Sequence, residues 1–345
     1  MSSISPRPAD EGGSKKTPIA PPTAPPTELL RALAVLAEPP GPEHTRVAES
    51  VGLADPVGFA GPAGPGAQES PRRSPTASEH GDVFLFQLYP YASVHVGAEG
   101  MMGGTARDRV AGFWGALGRT PPAEPDHLSA LLALYASLCE EQGRAVLLEH
   151  SRAALLHEHI APWLPHYLAR VQELAPGFYL RWAALLSGIL EAEADRAGPA
   201  ERLPLHLREA PPLPDPRVDG GDAFLAGLLA TVRTGVMLTR ADLASVAGAL
   251  DLGLRAGERK YALTSLLGQD PGGVLSALAA EARRQSEMHA GRAGRWGVTA
   301  DFLATRARTA AELLEQLAAE GFADADAAVS FGAKAPVGAP AGADS

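Results

Sequence analysis

The chain has little of several residue types, and each shortage excludes a class of protein. Its 345 residues include a single cysteine, Cys139, so the chain has neither a pair for an internal disulfide nor a set for a cysteine-rich zinc site. No segment reaches the roughly 18 consecutive apolar residues of a membrane helix, and residues 1–27 have no apolar signal-peptide region. We therefore expect a cytoplasmic protein.

Basic residues are also scarce, with 30 Lys and Arg against 40 Asp and Glu and a formal net charge of −10. A protein that coats nucleic-acid phosphates normally has the opposite balance, so general nucleic-acid binding is disfavoured. Aromatic residues make up only 6% of the chain, whereas the 37 glycines and 31 prolines are plentiful. This composition predicts a globular core interrupted by flexible segments.

Glycine, proline and serine are concentrated in segments that cannot bury enough apolar surface to offset the entropy of ordering them. Elsewhere the apolar residues recur at the three- and four-residue spacing of helices. The expected units are a disordered tail (1–27), a short helical segment (28–54), a Gly/Pro-rich linker (55–81), a helical domain (82–202), a second helical unit (203–322) and a disordered tail (323–345).

The pattern predicts an all-α fold. Clear helices are expected at Asp126–Glu141 and Phe178–Ala197, and another at Phe224–Thr234. Pro162 suits the first turn of a further helix, where its missing N–H is no loss. Asp82–Tyr91 has the composition of a strand, but Pro90 interrupts it and no partner strand follows. In the second unit, Thr239 and Asp242 have the spacing of a capping box.

The stretch HEHIAPWLPHY (157–167) has the composition of a metal site, but its spacing argues against one. On a helix, His157 and His159 point about 200° apart, and His150 lies two turns, roughly 10 Å, from His157. The HExxH spacing of a zinc protease is absent. We expect no bound metal, and we expect His157 and His166 to be exposed helix residues.

Hydrolytic and nucleotide sites have equally little support. The chain has no GxSxG elbow, and Cys139 lies on the apolar face of a predicted helix, where a thiol usually packs. The glycines of GAEGMMGG (97–104) are not followed by the Lys-Ser/Thr pair of a phosphate-binding loop. A hydrolase or metalloenzyme is therefore the third hypothesis for function.

A DNA-binding regulator is the second hypothesis. Residues 238–267 have the order helix, glycine-containing turn, helix, and Arg255, Arg259 and Lys260 lie on or near the second helix. Such a regulator would use residues 238–290. The same order is common in plain helical bundles, and the net acidity of the chain counts against this hypothesis.

EPDH, residues 124–127, stands at the start of the helix predicted from Asp126. The carboxylate of Asp126 could simply be the N-cap of that helix, in which case His127 would be a surface residue. The alternative is that these residues form part of a binding site.

Two spaced motifs support the binding site because together they resemble a known family. EPDHLSALLALYASLCE and the later LLHEHIAPWLPHYLARVQELAPGFYLRWAALL resemble the TorD/DmsD/NarJ family of molybdoenzyme assembly chaperones. The family pairs a Glu-Pro-x-Asp-His-type helix start with a His-x-x-Pro-Trp element. Glu124, Pro125, Asp126 and His127 fit the first motif without its spacer residue, and His159, Pro162 and Trp163 fit the second. The resemblance covers residues 82–197 best.

The resemblance implies a helical bundle of the TorD-like type with an additional C-terminal helical unit. It further implies a cytoplasmic, non-catalytic chaperone, monomeric or dimeric, that needs no cofactor of its own. Such proteins bind the twin-arginine signal peptide or the apoprotein of a molybdopterin-containing oxidoreductase until its cofactor is inserted.

The resemblance also implies a groove between the helix that begins at Asp126 and the element at 159–163. A cationic peptide with an apolar stretch requires carboxylates beside a hydrophobic surface. Glu124 and Asp126 would provide charge, and aromatic side chains would provide stacking faces. The predicted client-binding residues are Glu124, Pro125, Asp126, His127, His159, Pro162, Trp163, Tyr91 and Tyr167.

Overall fold

The structure is a computed structural model that describes residues 26–55, 73–141, 145–255 and 257–320. Within these ranges the fold is all-α, as predicted, and contains no β-strand. One isolated antiparallel bridge joins Tyr91 to His127. None of the described helices combines the length and apolarity needed to cross a membrane. Residues 1–25 of the predicted N-terminal tail, the predicted C-terminal tail and most of the predicted linker lie outside the described residues, whereas Pro26 and Thr27, predicted as disordered, begin the first helix.

The described residues form seventeen α-helices and two π-helices. In chain order they are α1 (Pro26–Val35), α2 (His44–Ser50), α3 (Ala77–His80), π1 (Gly81–Gln87), α4 (Ala92–Val96), α5 (Gly104–Ala116), α6 (Leu128–Glu140), α7 (Ala145–Ala154), π2 (Leu155–Ile160), α8 (Leu164–Leu174), α9 (Phe178–Ala197), α10 (Leu205–Glu209), α11 (Pro216–Asp219), α12 (Gly221–Leu228), α13 (Thr231–Thr234), α14 (Arg240–Ala249), α15 (Arg259–Leu267), α16 (Pro271–Ala290) and α17 (Ala293–Ala319).

The first hydrophobic core joins the N-terminal helices to the middle of the chain. Helix α1 buries Leu29, Leu30 and Leu33 in a core that α6, α8 and α9 also line. The indole N–H of the fully buried Trp182 donates to the backbone oxygen of Leu33 at 3.0 Å. Because each large apolar side chain contributes about 1.5–3 kcal/mol on burial, this packing fixes the N-terminal segment on the rest of the core.

The second core belongs to the C-terminal helices. Helices α12, α14, α15, α16 and α17 bury their leucines, valines and alanines together, and α16 and α17 pack along each other. The capping box predicted at the start of α14 is confirmed, because Thr239 accepts from the Asp242 N–H and Asp242 accepts from the Thr239 N–H.

A buried charge network links α8 of the first core to the helices of the second. Only 2% of Arg170 is exposed, and its guanidinium donates to both carboxylate oxygens of Asp242 at 2.7 Å. Glu173 and Glu281 also pair with it. Nearby, His166 lies 2.8 Å from the side-chain oxygen of Gln285 on α16. Since a buried charge is costly unless it is paired, this network couples the two cores.

Several predicted elements agree with the structure, and others differ for local reasons. Helix α9 has the predicted bounds Phe178–Ala197. The stretch Asp82–Tyr91 lies in π1 and the extended turn after it. Pro162 precedes α8, and Pro165 occupies the first turn instead. The predicted helix Phe224–Thr234 is two helices, α12 and α13, because the backbone of Ala230 is extended.

Candidate functional site

The EPDH motif forms the turn that leads into α6. His127, not Asp126, is the N-cap residue, and its ring nitrogen Nδ1 accepts from the Ser129 N–H at 3.3 Å. His127 is 7% exposed, so the expectation of a surface histidine beside an Asp126 cap is wrong. The turn places Asp126 below the surface and leaves Glu124 exposed.

Asp126 fixes the start of α4. Its side-chain Oδ2 accepts from the Ser93 N–H at 3.0 Å, and its backbone oxygen accepts from the Ala92 N–H at 3.0 Å. Only 2% of Asp126 is exposed. An orphan donor at a helix start is costly when buried, so the carboxylate stabilises the junction between the motif and α4.

Tyr91 pairs with His127 in the isolated antiparallel bridge and therefore lies beside the EPDH turn. Its hydroxyl donates to Glu124 Oε2 at 2.8 Å, and its ring meets the His127 ring edge-to-face at 4.8 Å. Burial and the Glu124 carboxylate raise the pKa of Tyr91 well above its ordinary value. The phenol therefore stays protonated and remains a donor to Glu124.

Glu38 joins this site from the N-terminal segment that follows α1. Its Oε1 accepts from the Ser129 hydroxyl and lies 3.3 Å from His127 Nδ1. The adjacent His127 ring and the Ser129 hydroxyl lower the pKa of Glu38 to about 2, against the opposing effect of burial. The Glu38 side chain keeps 47% of its surface exposed, so it is an ionised carboxylate at the protein surface.

The second motif lies inside the first core. Trp163 is 1% exposed, stacks on His95 with ring centroids 5.2 Å apart, and donates to the His159 backbone oxygen at 2.9 Å. Tyr167 is fully buried, and its hydroxyl donates to the backbone oxygen of Leu88 at 2.9 Å. Pro162 is buried as well. This motif therefore supports the segment that leads to Tyr91.

His159 has different neighbours. Its ring contacts the rings of Phe113 and His206, with centroids 5.1 and 5.7 Å away. Burial, with help from His206 and Arg109, lowers the pKa of His159 to about 4. His159 is therefore uncharged at neutral pH and packs as an aromatic ring.

The nine predicted residues thus fall into two groups joined by residues 88–95. The EPDH residues contact Tyr91, Ala92 and Ser93, whereas Trp163 and Tyr167 contact His95 and Leu88. Of the nine, Glu124 is exposed, Tyr91 is partly exposed, and the others are buried. In this conformation the predicted stacking faces of Trp163 and Tyr167 are covered.

Two residues of the site were missed by the sequence reasoning. Glu38 and Ser129 both contact His127. Glu38 was missed because it stands before Pro39 and Pro40 after a short helix, where an acidic residue is common and indicates no binding site. No local pattern connects it to a histidine 89 positions later. The surface formed by Glu38, Tyr91, Glu124, His127 and Ser129 is called the EPDH surface below.

The remaining histidines of the HEHIAPWLPHY stretch and the three basic residues of the hypothetical DNA-binding helix contact the rest of the protein. His166 is 2% exposed, so its predicted exposure is wrong, and His157 is partly buried. Arg255 donates to the Tyr261 hydroxyl, Arg259 donates to the Leu238 backbone oxygen, and Lys260 pairs with Asp222 at 3.5 Å. Among the described residues, no group of three or more His, Cys, Asp or Glu side chains has the geometry of a metal site.

Comparison with known families bears on the segment that carries both motifs. Residues 66–169 match the sequence model of the nitrate reductase delta subunit family. The resemblance to the TorD/DmsD/NarJ family is confirmed for this segment. No curated protein and no solved structure matches the chain.

The delta-subunit match covers less than a third of the chain. It includes Tyr91, the EPDH residues and the His-x-x-Pro-Trp residues, and it ends within α8. Glu38 and the whole of α1 lie outside it. The EPDH surface is therefore built partly from the TorD/DmsD/NarJ-like segment and partly from the N-terminal segment.

Proposed function

We propose that the protein is an assembly chaperone for a molybdopterin-containing oxidoreductase of the nitrate reductase type. It binds the signal peptide or the apoprotein of the catalytic subunit and holds it until the cofactor has been inserted. The match of residues 66–169 to the delta-subunit family supports this role. The protein acts by binding and not by turnover, and it works in the cytoplasm, before the client is exported.

The observation that carries the proposal is the geometry of the EPDH surface. Tyr91 and Glu124 are joined by a 2.8 Å hydrogen bond at the accessible edge of a turn that Asp126 and His127 hold from beneath. A partly exposed aromatic ring beside a carboxylate suits an arginine side chain, which stacks on rings and pairs with carboxylates. The buried aromatic residues of the second motif support this turn from the core.

Charge favours the same client. The net charge of −10 attracts a cationic peptide from solution and speeds its encounter with the surface. Binding should therefore weaken as salt is added, because screening shortens the reach of these charges to about 8 Å at physiological ionic strength.

Calorimetry tests this proposal directly. The titrant is a synthetic signal peptide with two adjacent arginines followed by an apolar stretch, and the control is the same peptide with both arginines changed to glutamine. We expect saturable 1:1 binding of the first peptide and at least tenfold weaker binding of the second. Equal affinity for the two peptides, or no binding of either, would count against a signal-peptide chaperone.

A further inference from the structure

The N-terminal segment adds a carboxylate to a surface that otherwise belongs to the matched segment. Glu38 follows α1, and α1 is anchored in the first core by Leu29, Leu30 and Leu33. The packing of α1 therefore fixes the position of Glu38. The Ser129 hydroxyl, at the start of α6, donates to Glu38 Oε1 and holds the carboxylate against the EPDH turn.

Glu38 lies on the other side of His127 from Glu124. The sequence of contacts runs from Glu38 to His127 Nδ1 at 3.3 Å, then from the His127 ring to the Tyr91 ring at 4.8 Å, and then from the Tyr91 hydroxyl to Glu124 at 2.8 Å. Two aromatic rings thus separate two surface carboxylates. Such an arrangement differs from a simple acidic cluster because each carboxylate has its own hydrogen-bond donor and a ring beside it.

The remaining acidic group of the motif is unavailable to a ligand. Asp126 is 2% exposed and is engaged by the Ser93 N–H. Glu124 accepts from Tyr91, whereas the side chain of Glu38 contacts Ser129 and His127 through Oε1. The Glu38 side chain nevertheless keeps 47% of its surface exposed.

We propose that Glu38 is a specificity-determining residue of the client site and binds a guanidinium group in the basic part of the client's signal peptide. This inference rests on the proposed chaperone function. The planar guanidinium presents its N–H donors to the Glu38 carboxylate at the edge of the aromatic pair His127 and Tyr91. A lysine, which has a compact ammonium group and no planar face, fits this arrangement less well. Specificity for arginine would then come from a residue outside the matched family segment.

A double-mutant cycle on the full chain tests Glu38. Affinities for the two-arginine peptide and for its two-glutamine counterpart are measured with the wild type, with E38Q and with the control E43Q. Glu43 is an equally exposed carboxylate in the same segment, so E43Q removes the same charge away from the EPDH surface. Because E38Q removes a charged hydrogen-bond acceptor, it should weaken binding of the arginine peptide about tenfold or more. E38Q should change the affinity for the glutamine peptide by less than twofold. E43Q should bind both peptides with the affinities of the wild type.

The outcomes separate this inference from the proposed function. If the wild type does not distinguish the two peptides, the chaperone proposal fails first. If the wild type prefers the arginine peptide but E38Q binds it equally well, the proposal for Glu38 is overturned. If E38Q weakens binding of both peptides equally, the proposal is also overturned, because that result indicates that Glu38 acts only structurally, through His127.

A second measurement uses only the wild type and does not depend on the stability of a variant. A peptide with lysine in place of each arginine is bound at high concentration and coupled with a zero-length carbodiimide reagent, which joins amines to carboxylates in direct contact. Mass spectrometry should find the peptide lysine joined to Glu38. Coupling to other carboxylates with none at Glu38 would contradict the assignment.

Discussion

At the scale of single residues, Asp126 acts as a buried acceptor and not as an exposed charge. Asp126→Ala should lower the free energy of unfolding by about 1–3 kcal/mol, because the Ser93 N–H would lose its partner in a buried position. Asp108→Ala, on the exposed face of α5, is the matched control and should change it by less than about 0.5 kcal/mol. Denaturant unfolding measures both, and equal stabilities would refute the structural role given to Asp126.

Glu38 gives the site a dependence on pH with a definite sign. Its pKa is about 2 in the folded chain and 4.5 ordinarily, so its ionised form stabilises the fold above pH 4.5. This contribution disappears as the pH falls from 4.5 towards 2. Because the side chain is half exposed, we expect ionised Glu38 to contribute less than about 1 kcal/mol to the free energy of unfolding. The difference in unfolding free energy between the wild type and E38Q should shrink over this range, and a difference that grows on acidification would contradict the assignment.

Sequence patterns predicted some of these residues and could not predict others. The EPDH and His-x-x-Pro-Trp residues are neighbours in sequence, so their motifs were visible. The contact of Glu38 with His127 joins the segment after α1 to the start of α6 through tertiary packing, and no periodicity encodes it. Burial was equally invisible: Trp163 and Tyr167 were predicted as stacking faces, yet both lie in the core because their apolar surfaces fill it.

At the scale of secondary-structure elements, long helices were the most predictable part of the fold. Helix α9 has its predicted bounds because Gly177 and Gly198, both with positive φ, lie immediately outside it. The capping box of α14 was predictable because Thr239 and Asp242 interact locally. The π-helices were not predictable, because their extra residue per turn depends on tertiary contacts at Gly81–Gln87 and Leu155–Ile160.

Gly235, which ends α13, shows how closely two elements can approach. It has a φ of 68°, and a Cβ atom there would lie 2.3 Å from the Leu303 backbone oxygen and 2.7 Å from the Ala307 nitrogen on α17. Gly235→Ala should therefore lower the free energy of unfolding by about 3 kcal/mol or more, since overpacking adds to the cost of the left-handed conformation.

Gly52→Ala is the control for Gly235→Ala. Gly52 also has a positive φ, 72°, but no atom lies within 4 Å of the position of its Cβ. Only the conformational cost of about 1–2 kcal/mol remains. Thermal or denaturant unfolding compares the two variants, and an equal loss of stability would rule out the close approach of α13 to α17.

At the scale of the whole molecule, the Arg170 network joins the two hydrophobic cores. Arg170→Ala should lower the free energy of unfolding by about 3–5 kcal/mol, because it leaves carboxylates partly buried without their cation. Arg31→Ala removes a half-exposed arginine that pairs with Glu140, and it should cost less than about 1 kcal/mol. Unfolding by urea ranks the two, and an Arg170 variant as stable as the Arg31 variant would show that the network does not hold the cores together.

The division of the chain into a chaperone domain at 82–202 and a C-terminal unit at 203–322 stays a prediction. The first core includes ten buried residues between Leu29 and Ala54, as well as Met237, Trp296 and Ala300 from the C-terminal part of the chain. An excised segment 82–202 would expose the surfaces that these residues cover. Experiments on the proposed client site therefore require the full chain.

We propose that this chain binds the catalytic subunit of a molybdoenzyme before export. The most direct measurement is affinity purification of the tagged full chain from its native cells, with mass spectrometry of the captured proteins. We expect enrichment of the catalytic subunit of a molybdoenzyme that still lacks its cofactor, and loss of this enrichment with a client whose signal-peptide arginines are changed to glutamine. Capture of the subunit only in its mature, cofactor-loaded form, or no enrichment of any such subunit, would contradict it.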